Sequence, residues 1–412
     1  MMLSKKWGGP LLLATMSFLF VLMLIYPGPA WNAGVRGLAI WWDVLFPSLF
    51  PFFVISEMML GFGIVHFIGM LLDPFMKPLF RIPGSGGFVA AMSFASGYPV
   101  SAKLTSKLRE QRLITREEGE RLVAFTTTSD PIFLIGAVSV GFFHNSQLAG
   151  TLALAHYGGA LIVGILMRFH DRGAPPTPVP VRQGKPQGFI LRLALAAMHE
   201  ARLKDGRPFG ELLRQAIISA LQLMTVVGGL VVVFSVLLEV LGTSGIMTQL
   251  YELLRHVLTS LQLPAALAEP FVGGGFEVTL GAKASAAVAG GVPLVFKAAA
   301  AAFILSWAGL SVHAQIASIL NGTGLRYLPF MVARLIHAVL AGLLVPLLWP
   351  LTGPDTEVFL DFGAPALSGA GWESFPYALL LLLLVLALLL ILSLFSGVIQ
   401  RLWNPVRITN RK

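Results

Sequence analysis

The sequence contains no cysteine among its 412 residues. Disulfide bonds, thiolate metal sites and cysteine nucleophiles are therefore excluded. Charged residues are also scarce, at 12% of the chain, whereas a soluble domain has about 25%. With 56% hydrophobic residues and a mean hydropathy of +0.79, the composition predicts an all-α polytopic membrane protein rather than a series of soluble domains.

Signatures of enzymes and of nucleic-acid binding are lacking too. The run 84–87 (GSGG) lacks the Lys-Ser/Thr pair of a phosphate loop. No histidine pair has zinc-site spacing beside a carboxylate, and no serine lies in a Gly-x-Ser-x-Gly turn. The net charge of +9 comes from basic residues between apolar spans, where they set topology. We therefore predict no enzymatic activity, catalytic residue, cofactor, metal site or nucleic-acid partner.

Long apolar runs predict about eight membrane crossings, with both termini in the cytoplasm. They cover residues 11–27, 37–60, 122–143, 148–169, 214–241, 294–320, 328–350 and 377–398. Lys5 and Lys6 precede the first run, which places the N-terminus inside. That run also fits a cleaved signal peptide, but its apolar core is somewhat long and we favour a retained helix.

The loops agree with this orientation. Two segments rich in lysine and arginine, 103–121 and 168–214, are predicted to be cytoplasmic. Segment 351–376 is acidic, has no lysine or arginine, and is predicted to lie outside, whereas the basic tail returns inside. The central loop, 170–210, begins with a proline-rich run and continues with a basic amphipathic stretch, 188–204. That stretch fits either a helix on the inner leaflet or a solvated tether.

One sequence pattern occurs twice. Residues 45–166 can be laid on residues 223–344 at an offset of about 180. The matched pairs include Gly97 with Gly275, Lys103 with Lys283, and Thr128 with Ser306. Repeated halves with interrupted apolar segments at corresponding places are typical of solute carriers.

Each repeat contains an apolar segment that is predicted to enter and leave the membrane on the same side. The first, 87–107, is interrupted at 96–99 (SGYP), so that each arm has about ten residues and spans about half of the hydrocarbon core. The second, 264–290, is interrupted at 273–277 (GGGFE). Each repeat then has three crossings, and this odd number inverts the second repeat relative to the first.

An interrupted helix follows each of these hairpins. The first contains 126–131 (TTTSDP), and the second contains 306–311 (SWAGLS). Irregular backbone at membrane depth is tolerated only where it is buried or lines a wet cavity. Two hairpin tips and two interrupted helices that meet near the midplane would line such a cavity.

These features divide the chain into five parts. They are an N-terminal helix, 1–36; a first repeat, 37–169; the basic linker, 170–210; a second repeat, 211–350; and 351–412, with the acidic loop, last crossing and tail. The two repeats are the parts expected to contact a solute.

Polar and aromatic residues at the tips and breaks are the predicted solute contacts. They are Ser96, Gly97, Tyr98, Pro99, Lys103, Thr128, Ser129, Asp130, Gly275, Phe276, Glu277, Thr279, Lys283, Ser306, Trp307, Ser311 and His313. Ionisable groups among apolar residues are functional candidates. Structural roles stay open: Lys103 can reach the inner surface, and Asp130 can satisfy amides freed by the break. Glu277 lies where the first copy has Pro99, an asymmetry that favours a specific role.

Three motifs resemble the YlbJ-type sporulation integral membrane proteins of spore-forming Firmicutes. They are 45–52 (LFPSLFPF), 96–99 (SGYP) with Ala102-Lys103, and 128–131 (TSDP). The repeated halves are similar to the gate, or nucleoside-recognition, domain of concentrative nucleoside transporters and ferrous-iron transport proteins. The resemblance covers about residues 40–350. It implies transport of dipicolinic acid across the mother-cell or outer forespore membrane, in support of spore core and cortex maturation.

We therefore predict an alternating-access carrier for a small anionic solute within the lipid bilayer. The dipicolinate dianion would be held by Lys103, Lys283 and helix N-termini, and would stack on Tyr98, Phe276 or Trp307. A carrier of nucleosides or another organic anion is the alternative, although motifs for nucleoside or sodium binding are not evident. A scaffold that recruits sporulation proteins through 170–210 is a hypothesis from another class. The coupling ion stays open, as does a homo-oligomer, since similar nucleoside transporters form trimers.

Overall fold

The computed structural model describes residues 3–177, 190–289 and 291–354. Within these ranges the chain is helical and has no β-strand. The predicted crossing 377–398, the acidic loop from residue 355 onward and the basic tail lie outside the described residues.

Within the described residues 3–177, the first half consists of eight α-helices and three π-helical segments. The α-helices are α1 Leu3–Ile25, α2 Pro27–Ala39, α3 Phe46–Gly61, α4 Ile64–Phe75, α5 Ser85–Ser96, α6 Tyr98–Glu110, α7 Arg116–Thr126 and α8 Leu148–Met167. The π-helical segments are Ile40–Leu45, Met76–Phe80 and Phe133–Phe142. The first of these joins α2 and α3 into one long helical segment.

The second half follows the linker helix α9, Ile190–Asp205. It consists of α10 Phe209–Thr243, α11 Thr248–Ser260, α12 Ala268–Phe276, α13 Val278–Ala287, α14 Leu294–Trp307, α15 Gly309–Leu320 and α16 Tyr327–Thr352, with a short 3₁₀ turn at Ala265–Leu267.

Among the described residues, five helical segments are long and apolar enough to cross a membrane. They are Pro27–Gly61, Leu148–Met167, Phe209–Thr243, Leu294–Leu320 and Tyr327–Thr352. Each contains or overlaps one of the eight predicted crossings. Two further apolar helices, Leu13–Ile25 and Phe133–Phe142, are shorter. The prediction of an all-helical chain is confirmed for the described residues, whereas the number and direction of the crossings stay predictions.

Small residues let the long helices approach one another closely, as is common in membrane bundles. A Cβ atom at Gly228 of α10 would lie only 2.6 Å from the Trp41 ring, and the Trp41 indole Nε1 donates a hydrogen bond to the carbonyl of Met224 at 2.8 Å. Similarly, a Cβ atom at Gly159 of α8 would lie 3.0 Å from the His337 ring of α16. The close contact between α8 and α16 brings their buried histidines, His156 and His337, near each other.

The linker helix α9 packs against protein rather than standing free. Gly63, between α3 and α4, adopts a φ of +78°, and a Cβ atom there would lie 2.5 Å from the carbonyl oxygen of Met198 in α9. The Arg202 guanidinium lies 5.5 Å from the centre of the Phe62 ring. Neither predicted role, a helix on the inner leaflet or a solvated tether, included this contact with the protein, and a position on the inner leaflet stays a prediction.

Each of the two predicted hairpin segments contains a pair of short helices, whereas their entry and exit on one side of the membrane stays a prediction. α5 and α6 meet at Gly97, and α12 and α13 meet at Glu277. A Cβ atom at Gly281 of α13 would lie 2.2 Å from the Cα atom of Gly274 in α12, so the two arms are in near backbone contact. The predicted break at 273–277 was too wide, because α12 stays helical through its three glycines. Gly274 in particular lets the arms approach each other instead of ending the helix.

Candidate functional site

The tip of the first hairpin lies against the break that follows α7. Gly97 adopts a φ of +80° and a ψ of −170°, a conformation that is essentially restricted to glycine. A Cβ atom at Gly97 would lie 3.2 Å from Oδ2 of Asp130. Oδ1 of the same carboxyl group accepts a hydrogen bond from the Phe133 amide at 2.8 Å. Asp130 is 7% exposed, so one buried side chain caps the restarted helix and faces the hairpin tip.

Hydroxyl groups hold the second arm of this hairpin to α7. The Ser101 and Thr126 hydroxyls lie 2.6 Å apart, and the Thr127 hydroxyl donates to Ser101 Oγ at 3.2 Å. Both threonines also lie within hydrogen-bonding distance of carbonyls one turn earlier. The predicted interruption of this helix is confirmed, since α7 ends at Thr126 and regular structure resumes only at Pro131.

The tip of the second hairpin is built around Glu277. Its Oε2 accepts from the Leu280 amide at 2.9 Å, and its Oε1 accepts from the Thr279 hydroxyl at 3.3 Å. The residue is 4% exposed and forms the N-cap of α13. A Cβ atom at Gly309, the first residue of α15, would lie 3.1 Å from the Glu277 Cα atom. The second tip therefore also lies against the break of an interrupted helix.

Each contact between a tip and a break pairs a glycine with an acidic residue, but the two halves of the chain place these residues in opposite positions. In the first half the tip has a glycine, Gly97, and the break supplies the acid, Asp130. In the second half the tip supplies the acid, Glu277, and the break has a glycine, Gly309. Each contact thus contains one buried carboxyl group, and each carboxyl group caps a helix N-terminus.

This geometry corrects the sequence register of the second tip. The predicted alignment matched Gly275 with Gly97 and Glu277 with Pro99. In the structure the non-helical residue is Gly97 in one hairpin and Glu277 in the other, so these two are equivalent. Gly275 lies within α12, and a Cβ atom there would meet nothing within 4 Å. The shift of two residues arises because α12 continues to Phe276.

A histidine that the sequence reasoning missed joins the two breaks. His156 of α8 is completely buried. Its Nε2 accepts a hydrogen bond from the Ser129 amide at 3.0 Å, which requires the neutral ring to carry its proton on Nδ1. Nδ1 lies 2.8 Å from the Ser306 hydroxyl, at the end of α14. The adjacent Tyr157 donates to the Ser129 carbonyl at 3.1 Å.

A buried arginine near the first break is a second residue that was not predicted from the sequence. Arg334 of α16 is completely buried and donates through its two terminal nitrogens to the carbonyls of Ala124 and Thr127. One turn further on, His337 donates through Nε2 to the His156 carbonyl at 2.7 Å. The repeat offset was a usable signal, since the offset of 178 that relates Thr128 to Ser306 also relates His156 to Arg334.

The aromatic site candidates are held by hydrogen bonds around the second break. Tyr98 donates to the Leu305 carbonyl at 2.7 Å, which joins the first tip to α14. The Trp307 indole donates to the Gly275 carbonyl at 3.3 Å. His313 lies between two partners: its Nε2 donates to the Trp307 carbonyl at 3.0 Å, and its Nδ1 accepts from the Tyr327 hydroxyl at 2.6 Å.

The remaining residues that were predicted to contact the solute differ in how buried they are. Thr128 and Ser311 are buried near the breaks, and the Thr128 hydroxyl has no hydrogen-bond partner among the described residues. Ser96, Pro99 and Phe276 are partly buried beside the tips. The two lysines differ from the rest, because Lys103 and Lys283 are exposed on the second arms, six residues beyond their tips.

A cleft of about 150 Å³ opens beside the second tip. It is lined by Phe271, Gly274, Gly275, Phe303, Ile304, Trp307 and Leu335. Two predicted contacts, Gly275 and Trp307, are among these residues. Three aromatic rings give the cleft walls suited to a flat, apolar ring face. No group of three or more metal-ligating side chains occurs in the part of the chain that the structure describes.

An ion-pair cluster links the two halves away from the tips. Glu120 of α7 accepts from Arg326 Nε at 2.8 Å and Nη2 at 2.7 Å, and it lies 2.8 Å from His170 Nε2. Burial raises the pKa of Glu120, but the hydrogen bonds from Arg326 and His170 outweigh burial, and the net pKa lies below the ordinary value. The Glu120 side chain is fully buried, whereas Arg326 is 44% exposed. The carboxylate therefore fixes the start of α16 to α7.

Comparisons with known proteins agree with the sequence motifs. Residues 43–154 match the Gate family, described as nucleoside recognition. The sporulation integral membrane protein YlbJ of Bacillus subtilis (strain 168) is 44% identical over 365 residues, which covers 86% of this chain and 88% of that protein. An uncharacterised protein of Alkalihalophilus pseudofirmus is 30% identical over 128 residues, or 29% of this chain and 27% of that protein.

Among solved structures, CNTnw with two substitutions, in an outward-facing state, aligns with 81% of this chain and 87% of its own at 15% identity and a TM-score of 0.37. The extent and identity of the YlbJ match establish the family. This chain is an integral membrane protein and belongs to the YlbJ-type family of sporulation integral membrane proteins.

Proposed function

We propose that this protein is a transporter that moves a small solute across the membrane by alternating access. The observation that carries the proposal is the pair of contacts at the hairpin tips, Gly97 with Asp130 and Glu277 with Gly309. Each tip closes on a break in a helix, and each contact buries a carboxyl group. Interrupted helices with ionisable groups at membrane depth are the usual components of a solute site.

The order of helices supports two inverted repeats. A long helical segment, a short amphipathic helix, a hairpin, an interrupted helix and a final long helix follow one another in 27–167 and again in 209–352. With three crossings in each repeat, the hairpins enter from opposite faces. Eight crossings with both termini inside is the topology that the loop charges favour.

In this mechanism each hairpin acts as the gate of one face. With both tips seated, the site is closed to both sides. Release of one tip from its break opens one path, while His156 keeps the two breaks at a fixed distance. Solute binding would select the closed state if the solute contacts both tips at once.

We further propose that the solute is dipicolinate, exported from the mother-cell cytoplasm across the outer forespore membrane and needed for spore core and cortex maturation. Membership of a sporulation family supports this context. The aromatic cleft suits the pyridine ring, and neither α6 nor α15 has a side-chain cap at its N-terminus, where the helix dipole would favour a carboxylate. Lys103 and Lys283, exposed beyond the tips, would attract the dianion on its approach.

A nucleoside is the second candidate solute, and the match of residues 43–154 to a nucleoside-recognition family favours it. A scaffold acting through the linker 170–210 is the alternative outside transport. Replacement of Arg192 and Lys204, which are exposed on α9, by glutamine separates the classes, because it removes charge and keeps the packed helix. A scaffold would lose function, and a carrier would keep most of its flux.

The decisive experiment is uptake of dipicolinate into proteoliposomes of the purified protein, with uridine as the comparison solute. Wild type is measured beside Glu277→Gln and its matched control Glu269→Gln, which changes an exposed carboxylate on the same hairpin. Saturable dipicolinate flux that is markedly reduced, but still measurable, in Glu277→Gln and unchanged in Glu269→Gln supports the proposal. Flux of uridine alone would show that the solute is a nucleoside instead of dipicolinate. Absence of flux of either solute under sodium, proton or zero gradients would contradict a carrier.

A further inference from the structure

The end of α7 is an incomplete helix terminus inside the protein. α7 stops at Thr126, and the residue that would donate to the Thr127 carbonyl in a continued helix is Pro131, which has no amide proton. The Ala124 carbonyl likewise lacks its helical donor, because Thr128, four residues on, lies outside the helix. A helix C-terminus carries about half a negative charge. In transporters with interrupted helices, such C-terminal ends and unwound carbonyls coordinate the coupling cation.

In this protein a side chain already supplies a cation there. The guanidinium of Arg334 donates one hydrogen bond to the Ala124 carbonyl and one to the Thr127 carbonyl. The side chain is 0% exposed, and an arginine keeps its charge at any physiological pH. Among the described residues, no carboxylate forms an ion pair with it. The charge of the guanidinium thus faces the carbonyl oxygens of the break, while its Nε has no hydrogen-bond partner among the described residues.

The corresponding end of α14 is completed by neutral groups. The Leu305 carbonyl accepts from the Tyr98 hydroxyl, and the Trp307 carbonyl accepts from the neutral imidazole of His313. Only the first break, among those described, therefore has a full positive charge fixed against its carbonyls. The difference argues against a general need for arginine at a helix break.

We propose that Arg334 is a tethered cation that occupies the place of a coupling ion at the end of α7. Solute flux through this protein then requires no Na⁺ or other free monovalent cation at that break. The inference rests on the proposed transport function. It assigns Arg334 a positioning role: the guanidinium holds the break in the shape that the first hairpin tip recognises, without touching the solute.

Thermal unfolding of the purified protein in detergent tests this without any solute. Wild type, Arg334→Ala and the control Arg255→Ala, which removes an exposed arginine of α11, are compared in NaCl, LiCl, KCl and choline chloride at equal ionic strength. Each is also measured with a few millimolar guanidinium added. Wild type and Arg255→Ala are expected to melt at one temperature in every salt. Arg334→Ala is expected to melt lower in choline and to regain part of the loss with a small cation or guanidinium.

Two results would overturn the inference. One is a wild type that is stabilised specifically by Na⁺, Li⁺ or K⁺, and the other is an Arg334→Ala variant whose melting temperature is the same in all conditions. If Arg334→Ala cannot be purified, Arg334→Gln replaces it, because it keeps hydrogen-bond donors without the charge, and the same outcomes apply. Arg334→Lys, which keeps a cation, should show a smaller cation response than either.

A flux measurement separates this inference from the proposed function. Dipicolinate uptake by wild type is expected to be equal with Na⁺ and with choline on both sides. Uptake that occurs but requires Na⁺ would contradict the tethered cation and leave the transporter intact. Absence of all flux would contradict the transporter, while the melting experiment would still decide whether Arg334 stands in for a free cation.

Discussion

Replacement of Gly97 by alanine should destabilise the protein far more than the same change at Gly275. The two glycines are aligned by sequence, but the structure gives them different roles. Gly97 is the non-helical residue of the first tip, with φ +80° and ψ −170°. Gly275 lies inside α12, two residues before the second break. The pair therefore tests both the strain at the first tip and the register of the second.

The expected magnitudes follow from local geometry. An alanine forced into the conformation of Gly97 costs about 1–3 kcal/mol. Its Cβ atom would also lie 3.2 Å from Asp130 Oδ2, and displacement of this hydrogen-bonded carboxyl group adds about 1 kcal/mol. Gly97→Ala should thus lower the free energy of unfolding by about 2–4 kcal/mol. Gly275→Ala meets no atom within 4 Å and should be neutral or stabilise by up to about 1 kcal/mol, as alanine favours a helix.

The assay is equilibrium unfolding in mixed micelles, followed by the fluorescence of the native tryptophans. Each variant is compared with wild type and with Gly273→Ala, whose Cβ atom would make only an ordinary contact at 3.8 Å. Equal destabilisation by Gly97→Ala and Gly275→Ala would show that the two glycines are equivalent after all. A neutral Gly97→Ala would refute the argument from backbone conformation.

Two further changes test other contacts. Gly281→Ala should destabilise the second hairpin because its Cβ atom would lie 2.2 Å from the Gly274 Cα atom; unfolding that matches Gly273→Ala would contradict this packing. Glu120→Gln should lower stability by about 1–3 kcal/mol at pH 7, less than for a fully buried pair because Arg326 is half-exposed. Since the folded pKa of Glu120 is lowered, its stabilisation is complete above the ordinary carboxyl value of about 4.3 and is lost as the pH falls through the folded value. Wild type and Glu120→Gln should therefore converge in acid, as measured by melting temperature, and a constant difference down to pH 3 would refute the assignment.

Much of the fold could be predicted from the sequence because apolar length and helix-breaking residues are local signals. Gly97 and the Asp130-Pro131 pair mark two interruptions that the structure places within one or two residues. The glycines at 273–275 misled the prediction for a physical reason. Glycine both weakens a helix and permits close helix contact, and sequence alone does not show which effect a neighbouring arm will require.

The centre of the site was harder to predict. Arg334 and His156 lie within long apolar helices, and their partners are backbone groups about 207 and 27 residues away. A carbonyl freed by a helix break has no sequence signature, since every residue has one. A side chain that satisfies such a carbonyl can therefore be found only when the break and the facing helix are placed together.

The reciprocal placement of the two acids predicts different behaviour on the two sides of the membrane. If hairpins open as proposed, Asp130 stays with the interrupted helix whichever tip moves, whereas Glu277 leaves the site with the second tip. Asp130→Asn should change the half-saturation concentration for solute presented from either side. Glu277→Gln should change it only from the side gated by the first hairpin, where Glu277 is still seated.

The absence of cysteine makes this measurable. A single cysteine introduced into the path that one hairpin gates lets an impermeant thiol reagent block proteoliposome molecules of one orientation, so that each side is assayed alone. Glu277→Gln and Asp130→Asn that alter both sides equally would show that the two acids move together. The hairpins would then not be independent gates. A one-sided effect of Glu277→Gln alone would show that each hairpin gates its own path. The second tip would then carry Glu277 away from the path that it opens and leave Glu277 seated when the first tip opens the other path.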